Sequence, residues 1–275
     1  MLLEINGIEC QTTIGCYDYE QQQSQPVMAD IILNLGNWDS TDNICQTTDY
    51  AAVSDFIKEK INISHHQLLE SLAIELAQQI LDAYHLVIEV TIILNKPNFN
   101  NTKAQQTNCR YSKKREYKIA LALGSNQNNP TQQLINAITF LGEFVFGIKV
   151  AAIYKSSPQG FTDQNDYFNT CISAYTHLTP EELLIAIKKV EKLMGKQEQF
   201  TNGPRIIDID IILFADQSYQ KLFLTIPHPR MSQRDFVLQP LADIEPNWIH
   251  PQLNKSVQIL LNELTPNEQF ILSKS

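Results

Sequence analysis

Two aspartates on an apolar strand are the residues whose spacing most clearly allows chemistry. They are Asp208 and Asp210, within the segment 203–213, Gly-Pro-Arg-Ile-Ile-Asp-Ile-Asp-Ile-Ile-Leu. Because side chains alternate along a strand, both carboxylates face one side, about 6–7 Å apart. Burying two unpaired carboxylates here would be costly, so they should meet cations. The pattern favours hard divalent ions that also bind substrate phosphates, and the alternative is a strand with a solvated acidic face.

Basic and aromatic side chains elsewhere in the second half could complete such a site. Arg205 stands just before the aspartates, and His228 and Arg234 follow them. A metal ion and a guanidinium together neutralise the charge that develops in phosphoryl transfer, so these neighbours favour a polyphosphate ligand. Tyr167 and Asn169 share one face of a strand, where a ring and an amide could stack on and hydrogen-bond a flat heterocycle. Taken singly, each residue is more typical of core or surface.

The first half carries fainter candidates, which lie at strand ends, helix starts and loops. They are Glu20, Tyr50, Leu69, Glu70 and Lys96. Glu70 borders an apolar helical stripe, where its carboxylate could face a cleft. Each charge alone is more typical of a solvated surface. The sequence has no G-x-x-x-x-G-K-[ST] segment, so an ATP site in this chain would not be of the Walker type.

Hydrophobic periodicity predicts the elements that position the first-half candidates. The predicted order is strand, strand, helix, helix, strand, over residues 2–8, 27–35, 50–61, 65–84 and 86–94. A capping box at residues 64–67 is expected to open the second helix. A weak strand and a linker are expected between residues 98 and 116, with the domains joined near Lys113 to Glu116.

Strands and helices alternate in the second half, which favours one layered α/β sheet. Strands are predicted over residues 117–123, 148–154, 168–174 and 206–214. Asn129 and Pro130 are expected to be the N-cap and first residue of a helix running to about residue 141. A capping box from Thr179 to Glu182 is expected to open another helix, whose core face is Leu183, Leu184, Ile187 and Val190.

Length and composition indicate a folded chain of two domains. The chain has 275 residues, of which 43% are hydrophobic and 19% charged, and this excludes intrinsic disorder. We place the boundary after residue 114, which gives domains of residues 1–114 and 115–275.

Charge and cysteine usage exclude several classes of partner. A net charge of −9 argues against binding of nucleic acid or anionic membranes through overall basicity. No run of 18 apolar residues and no signal segment is found, so a cytoplasmic protein is expected. The five cysteines have no metal-ligand spacing and are interpreted as reduced packing residues: Cys10, Cys16, Cys45, Cys109 and Cys171.

The second-half motifs, in this order over residues 117–275, resemble 6-hydroxymethyl-7,8-dihydropterin pyrophosphokinase. The motifs are Leu-Ala-Leu-Gly-Ser-Asn at 121–126, Asp-Tyr-Phe-Asn at 166–169, Gly-Pro-Arg at 203–205 with the two aspartates, and His-Pro-Arg at 228–230 with Arg234 and Phe236. The resemblance implies a ferredoxin-like α/β sandwich. It also implies transfer of the β,γ-diphosphate of ATP to the pterin hydroxymethyl group, with release of AMP.

The same resemblance implies a role for each matching residue. Tyr167 and Phe236 would sandwich the pterin, and Asn169 would bond its polar edge. Two Mg²⁺ would be held by Asp208 and Asp210. Contacts with the ATP phosphates, and a part in the catalytic step, would come from Arg205, His228 and Arg234.

One departure concerns the loop before the Gly-Pro-Arg segment. The family usually carries two or more arginines there, whereas residues 194–202 offer only Lys196. A lysine cannot grip phosphate in the bidentate way of arginine. We therefore expect an active enzyme in which Lys196 contributes a weaker clamp on ATP.

The first half resembles bacterial dihydroneopterin aldolase across about residues 1–112. The matching features are a Gly-x-x-x-x-Glu turn, a Tyr at the start of the first helix, Leu-Leu-Glu on the second helix and Lys-Pro at the end of the third strand; they place Glu20, Tyr50, Leu69 with Glu70, and Lys96 in the site. The resemblance implies a tunnelling fold (T-fold) with sites between subunits, in a tetramer or octamer. The polar last strand, residues 107–111, departs from the family pattern.

The roles that this resemblance implies are chemically consistent. Glu70 would accept hydrogen bonds from the guanidine-like edge of the pterin. Lys96 would move protons during retro-aldol cleavage, with the reduced pterin as electron sink and no cofactor. Tyr50 and Glu20 would interact with the hydroxyl groups of the substrate's side chain. The products would be 6-hydroxymethyl-7,8-dihydropterin and glycolaldehyde.

The two resemblances support each other, because the product of the first reaction is the substrate of the second. The sequence therefore predicts an α+β, bifunctional folate-biosynthesis enzyme, a lyase joined to a transferase. One alternative is a pyrophosphokinase whose first domain is a non-catalytic oligomerisation module. A second alternative, an RNA-binding sheet, is remote because the central strand is acidic and no RNP-like aromatic string occurs.

Overall fold

The structure is a computed structural model that describes residues 1–36, 43, 47–97, 105–159, 162–196 and 203–274. Cys45 and most of the loop before the Gly-Pro-Arg segment lie outside the described residues. The chain divides into two compact units, Met1–Arg115 and Glu116–Ser275. No helix of the described ranges is long and apolar enough to cross a membrane.

The first unit is a five-stranded sheet with two helices on one face. Its elements are β1 (Leu2–Ile14), α1 (Asp18–Gln22), β2 (Gln25–Asn34), α2 (Tyr50–Asn62), β3 (His65–His66), α3 (Leu69–Ala83), β4 (Glu89–Pro97) and β5 (Gln106–Lys114). The strand order is β3-β1-β2-β4-β5, parallel only between β3 and β1. Alternate residues of the strands pack against α2 and α3 to form the core.

The first strand is longer than predicted. β1 continues to Ile14 because the inward-facing pattern persists through Cys10 and Thr12, which are 3% and 1% exposed. The buried Thr12 hydroxyl donates to the backbone oxygen of Ser64 at 2.8 Å, so its burial leaves no unpaired donor. The part of the first-half site at Ile14 and beyond depends on this extension.

The predicted capping box at residues 64–67 is wrong. His65 and His66 form β3 beside β1, and α3 begins only at Leu69, after Leu68 as an N-cap without a side-chain bond. The hydroxyl of Ser64 instead donates to the backbone oxygen of Ile61 at 2.8 Å, at the end of α2. Long-range pairing therefore overrides the local capping signal.

The weak last strand is a regular strand in the structure. β5 pairs with β4 along its whole length, from Glu89 opposite Lys114 to Pro97 opposite Gln106. Its polarity suits the edge of a sheet, where one row of backbone groups faces solvent. Lys113 and Lys114, expected in a linker, belong to this strand.

The second unit is a sheet covered on both faces by helices. Its elements are β6 (Tyr117–Ser125), α4 (Pro130–Leu141), β7 (Phe146–Val150), β8 (Tyr154–Ser156), β9 (Tyr167–Thr176), α5 (Pro180–Leu193), β10 (Asp208–Phe214), β11 (Tyr219–Lys221), β12 (Leu224–Ile226), α6 (Asp235–Ile244), α7 (Val257–Asn262) and β13 (Ile271–Lys274). The main sheet has the order β10-β6-β9-β8-β13, all antiparallel, and β7 also pairs with β9. Helices α4 and α5 share one core cluster, and α6 and α7 the other.

Local predictions in this unit are partly right. The Thr179–Glu182 capping box is confirmed, and α4 begins at Pro130 with Asn129 as its N-cap, as predicted. Asn129 takes a left-handed conformation (φ 60°) there and makes no side-chain cap bond. The strand predicted over residues 148–154 is interrupted, so β7 and β8 are separate and both pair with β9. On the predicted core face of α5, Leu184 is only partly buried.

Candidate active sites

Seven predicted site residues of the second unit line one cleft, which we name the acidic cleft. They are Tyr167, Asn169, Arg205, Asp208, Asp210, Arg234 and Phe236. Sheet register explains the meeting, because Gly124 of β6 lies between Asp208 of β10 and Asn169 of β9. A Cβ atom at Gly124 would lie 2.9 Å from the Asn169 side-chain oxygen, so glycine leaves the cleft floor open.

Asp208 is held in a network of cations. Lys196 Nζ lies 2.6 Å from Asp208 Oδ1, and the Arg205 guanidinium contacts Oδ2. Burial would raise the pKa of Asp208, but the neighbouring Lys196 and Arg205 lower it below its ordinary value. Asp208 is therefore a carboxylate at neutral pH, as the sequence argument from unpaired buried charge requires.

Asp210 has a different environment on the same face of β10. Burial, and then the charge of Asp208, raise its pKa. His228 Nε2 lies 3.9 Å from Asp210 Oδ2. Burial and the positive Arg234 and Arg230 lower the pKa of His228 to about 4, so its ring is neutral at pH 7.

Glu191 supports this network and was missed by the sequence reasoning. Its side chain is 3% exposed, and its carboxylate accepts hydrogen bonds from Lys188 at 2.8 Å, Lys196 at 2.7 Å and the backbone N–H of Ile209 at 2.9 Å. Glu191 lies four residues after the buried Ile187, so the spacing of one acidic residue on an apolar helix face was the available signal.

Asn126, the last residue of the motif at 121–126, has a role that was not predicted: it fixes the Gly-Pro-Arg segment. Its side-chain oxygen accepts from the backbone N–H of Arg205 at 2.8 Å, and its own backbone N–H donates to the Arg205 oxygen at 3.1 Å. The Tyr167 hydroxyl donates to the Gly203 oxygen at 2.9 Å. The backbone around Arg205 is thus fixed by hydrogen bonds from two other parts of the chain.

The first unit has a pocket around a buried lysine, which we name the lysine pocket. Its lining includes Gly15, Glu20, Leu69, Glu70 and Lys96. The side chains of Glu20 and Lys96 are 12% and 10% exposed, and Lys96 Nζ lies 2.5 Å from Glu20 Oε1. Lys96 also donates to the backbone oxygen at the end of β1, at 2.9 Å. β1, α1 and β4 therefore meet at one ion pair.

The geometry around Gly15 keeps this ion pair together. Its φ of +140° is one that side chains rarely adopt, and a Cβ atom there would overlap the Glu20 carboxylate. Burial would raise the pKa of Glu20, but the hydrogen bonds from Lys96 and from the Tyr17 backbone N–H hold it below its ordinary value.

Tyr50 is the predicted site residue that this pocket does not include. It opens α2, is 62% exposed and is absent from the described lining of the lysine pocket. Within one chain, the structure brings together four of the five first-half candidates.

Comparison with known proteins follows the same division of the chain. The family model for 7,8-dihydro-6-hydroxymethylpterin-pyrophosphokinase (HPPK) matches residues 120–246. A pyrophosphokinase of Aquifex aeolicus is 43% identical over 140 residues, which are 51% of this chain and 88% of that protein. The chain belongs to the HPPK family.

The region before the HPPK domain matches another family. The model for dihydroneopterin aldolase (FolB) matches residues 3–111. A folic acid synthesis protein of Dictyostelium discoideum is 31% identical over 283 residues, covering 91% of this chain. The chain spans 42% of that protein's length. Both resemblances seen in the sequence are thereby confirmed, and the chain joins an aldolase-family domain to an HPPK domain.

Among solved structures, dihydroneopterin aldolase of Escherichia coli in complex with neopterin is 24% identical. The match covers 41% of this chain and 98% of that one, with a TM-score of 0.37.

Proposed function

We propose that the chain is a bifunctional folate-biosynthesis enzyme whose two reactions take place in the lysine pocket and the acidic cleft. The observation that carries the proposal is the acidic cleft itself. This cleft is lined by two aromatic rings and an amide that suit a flat ring and by two carboxylates and two arginines, within a domain of the HPPK family. A cleft lined by both sets of groups suits transfer of a charged group to a heterocycle.

The second unit's own residues divide into two groups. Tyr167 and Phe236 stack on the pterin, and Asn169 hydrogen-bonds its polar edge. Arg205, His228 and Arg234 bind the phosphates of ATP; His228 is neutral at pH 7, so it acts as a hydrogen-bonding group. Lys196 is proposed as a weaker clamp at the loop.

Magnesium suits the donor set of this cleft. Asp208 and Asp210 offer two carboxylates, and the described residues hold no group of three acidic, histidine or cysteine side chains that would form an all-protein cage. Mg²⁺ binds readily through one or two carboxylates together with substrate phosphates. When bound with ATP, Mg²⁺ would neutralise the charge of the transferred diphosphate.

In the first unit we propose retro-aldol cleavage of 7,8-dihydroneopterin. Glu70 anchors the guanidine-like edge of the pterin. As the carbon–carbon bond breaks, the hydroxyl oxygen becomes the carbonyl of glycolaldehyde, the electron pair of the broken bond is held by the reduced pterin, and Lys96 relays the hydroxyl proton to the carbon that stays on the pterin. Glu20 holds Lys96 in place at 2.5 Å and also handles the side-chain hydroxyls. The products are 6-hydroxymethyl-7,8-dihydropterin and glycolaldehyde.

The proposed fold families follow from element order. Apart from the short strand β8, the second unit follows the order β-α-β-β-α-β in β6-α4-β7-β9-α5-β10, which supports a ferredoxin-like sandwich. The first unit is proposed to be a T-fold domain that assembles into a tetramer or octamer. The exposure of Tyr50 supports sites shared between subunits, because a second copy could bring this tyrosine to the lysine pocket.

The decisive experiment supplies the purified chain with 7,8-dihydroneopterin, ATP and Mg²⁺ and follows glycolaldehyde and AMP together. Both products are expected, and omission of ATP should abolish AMP alone. If the chain releases no glycolaldehyde but converts added 6-hydroxymethyl-7,8-dihydropterin with release of AMP, the first unit is an oligomerisation module.

A further inference from the structure

Asp235 is a buried carboxylate between two residues of the acidic cleft that itself turns to another part of the chain. It is 6% exposed and begins α6 between Arg234 and Phe236. Its Oδ2 accepts hydrogen bonds from the backbone N–H groups of Phe270 at 2.6 Å and Ile271 at 2.8 Å. Its Oδ1 has no hydrogen-bond partner among the described residues.

Keeping a carboxylate in this position is costly. A buried charged group with an unpaired oxygen loses hydration, and only the bonds to two backbone N–H groups offset that loss. An apolar residue would avoid this cost, but it would leave the backbone N–H groups of Phe270 and Ile271 without an acceptor. The carboxylate is therefore present because it binds the start of the segment Phe270–Lys274, which we name the C-terminal clamp.

The C-terminal clamp contacts the cleft first through Phe236. The rings of Phe236 and Phe270 meet edge to face, with centroids 6.1 Å apart and an interplanar angle of 74°. The Arg234 guanidinium lies over the Phe236 ring, 5.5 Å from its centroid. A ring packed in this way loses rotamer freedom before a ligand binds.

The clamp also supports Asn169 through strand β8. Ile271 is opposite Ser156 in the β13–β8 pair, and the backbone N–H of Ser157 donates to the Phe270 oxygen at 2.9 Å. The Ser156 hydroxyl accepts from the Asn169 side-chain amide at 2.7 Å. One strand thus backs both the stacking ring and the amide of the cleft.

We propose that Asp235 is a positioning residue for the pterin. It fixes the C-terminal clamp, and the clamp fixes Phe236 and Asn169 in the geometry that the pterin requires. The inference rests on the proposed function of the acidic cleft. It predicts a larger effect on the pterin than on ATP, because Arg234 is the one proposed ATP residue beside the clamp, whereas Asp208, Arg205 and Lys196 lie on elements that the clamp does not contact in the hydrogen bonds above.

The test measures binding of 6-hydroxymethyl-7,8-dihydropterin and of ATP, each with its KM and the kcat, in the full chain. Asp235→Ala and Phe270→Ala are expected to raise the Kd and KM for the pterin by roughly 10-fold, with a smaller change, below about threefold, in the values for ATP. Asp235→Asn keeps an acceptor oxygen for the two N–H groups and should retain pterin binding within about threefold. Asp216→Ala and Leu222→Ala, at exposed positions of the same unit, are the matched controls.

Each result decides the inference. Unchanged pterin binding in Phe270→Ala and Asp235→Ala, or an equal loss for pterin and ATP, would overturn it. If Asp235→Ala fails to fold, Phe270→Ala and Asp235→Asn decide alone. If the wild-type chain binds no pterin, the proposed function is overturned as well. If the wild-type chain binds the pterin and the variants bind it equally well, only the positioning role is overturned.

Discussion

The acidic cleft and the lysine pocket differ in how complete they are within one chain. In the cleft, seven predicted residues from β9, β10, α6 and their connections meet in one unit. Around the pocket, Glu20, Leu69, Glu70 and Lys96 meet, but Tyr50 stays apart and 62% exposed. The predicted residues of the cleft therefore all meet within one chain, whereas those predicted for the pocket do so only in part.

The two regions also neutralise charge differently. Asp208 shares Lys196 and Arg205, and the buried Glu191 connects Lys196 to the backbone of β10. In the lysine pocket, Lys96 is the cation that contacts Glu20. If one charged side chain of the cleft is removed, other partners still neutralise the charges that remain. If Glu20 of the pocket is removed, the charge of Lys96 loses the anion that contacts it.

The largest expected effect separates the two sites completely. Asp210→Asn should lower AMP release by roughly 1000-fold and leave glycolaldehyde release unchanged, because an amide is a poor ligand for Mg²⁺. Lys96→Met should do the reverse, through loss of the proton carrier. Initial rates are measured in two separate mixtures, glycolaldehyde from 7,8-dihydroneopterin, and AMP from ATP with added 6-hydroxymethyl-7,8-dihydropterin, so that AMP release does not depend on the first reaction.

The exposed Asp216→Asn and Lys114→Met are matched controls and should alter neither rate. Loss of both products in either site variant would contradict separate sites.

Mixing of inactive chains tests the incomplete pocket. Tyr50→Ala and Lys96→Met chains, mixed under conditions that exchange subunits, should recover about a quarter of wild-type glycolaldehyde release if each site takes these residues from different chains. Glu70→Ala mixed with Lys96→Met is the control and should recover none, since both residues line the same pocket. No recovery in the first mixture would show that Tyr50 does not act across subunits.

Glu20→Gln should destabilise the first unit by about 2 kcal/mol at pH 7, because it leaves Lys96 buried without its anion. The pKa of Glu20 is lowered in the folded chain, so its contribution is present above the ordinary glutamate pKa and is lost as pH falls through the folded value. The difference between wild type and variant should therefore shrink below about pH 4.5. Urea unfolding at pH 7 and pH 4 measures this.

Glu59, 69% exposed in its contact with Lys60, provides the control. Glu59→Gln should change the free energy of unfolding by less than about 0.5 kcal/mol. A Glu20→Gln chain as stable as this control would show that the ion pair contributes no net stability.

The smallest expected effect concerns Lys196. Lys196→Ala should weaken ATP binding by up to about 10-fold and slow turnover, since it removes the loop cation that the structure places on Asp208. Lys196→Arg should restore both, and Lys189→Ala, an exposed change on the preceding helix α5, should leave both unaltered. Titration of ATP and steady-state kinetics give the two values, and no change in either would contradict a clamp at this position.

Much of the cleft could be predicted because strand alternation is a local rule. A side-chain period of two is enough to place Asp208 with Asp210, and Tyr167 with Asn169, on shared strand faces. The supporting roles of Glu191 and Asn126 were not predicted, because their partners are backbone groups distant in sequence, at Ile209 and Arg205.

The errors in the first unit share this cause. Ser64 fits a capping box by sequence, but its neighbours His65 and His66 pair with the end of β1, far earlier in the chain. The sequence predicted only a weak strand at β5 because the residues of β5 are polar. The strand is regular because it pairs with β4 along its whole length. Local patterns identify candidates, and distant pairing decides which of them are used.

Gly15 bears on inhibitor resistance. A side chain at this wall of the lysine pocket would displace the Glu20 carboxylate, and its backbone conformation disfavours one in any case. A compound that rests against this wall would thus contact a surface that a point substitution cannot reshape without also disturbing Lys96. Escape variants selected against such a compound should arise at other positions.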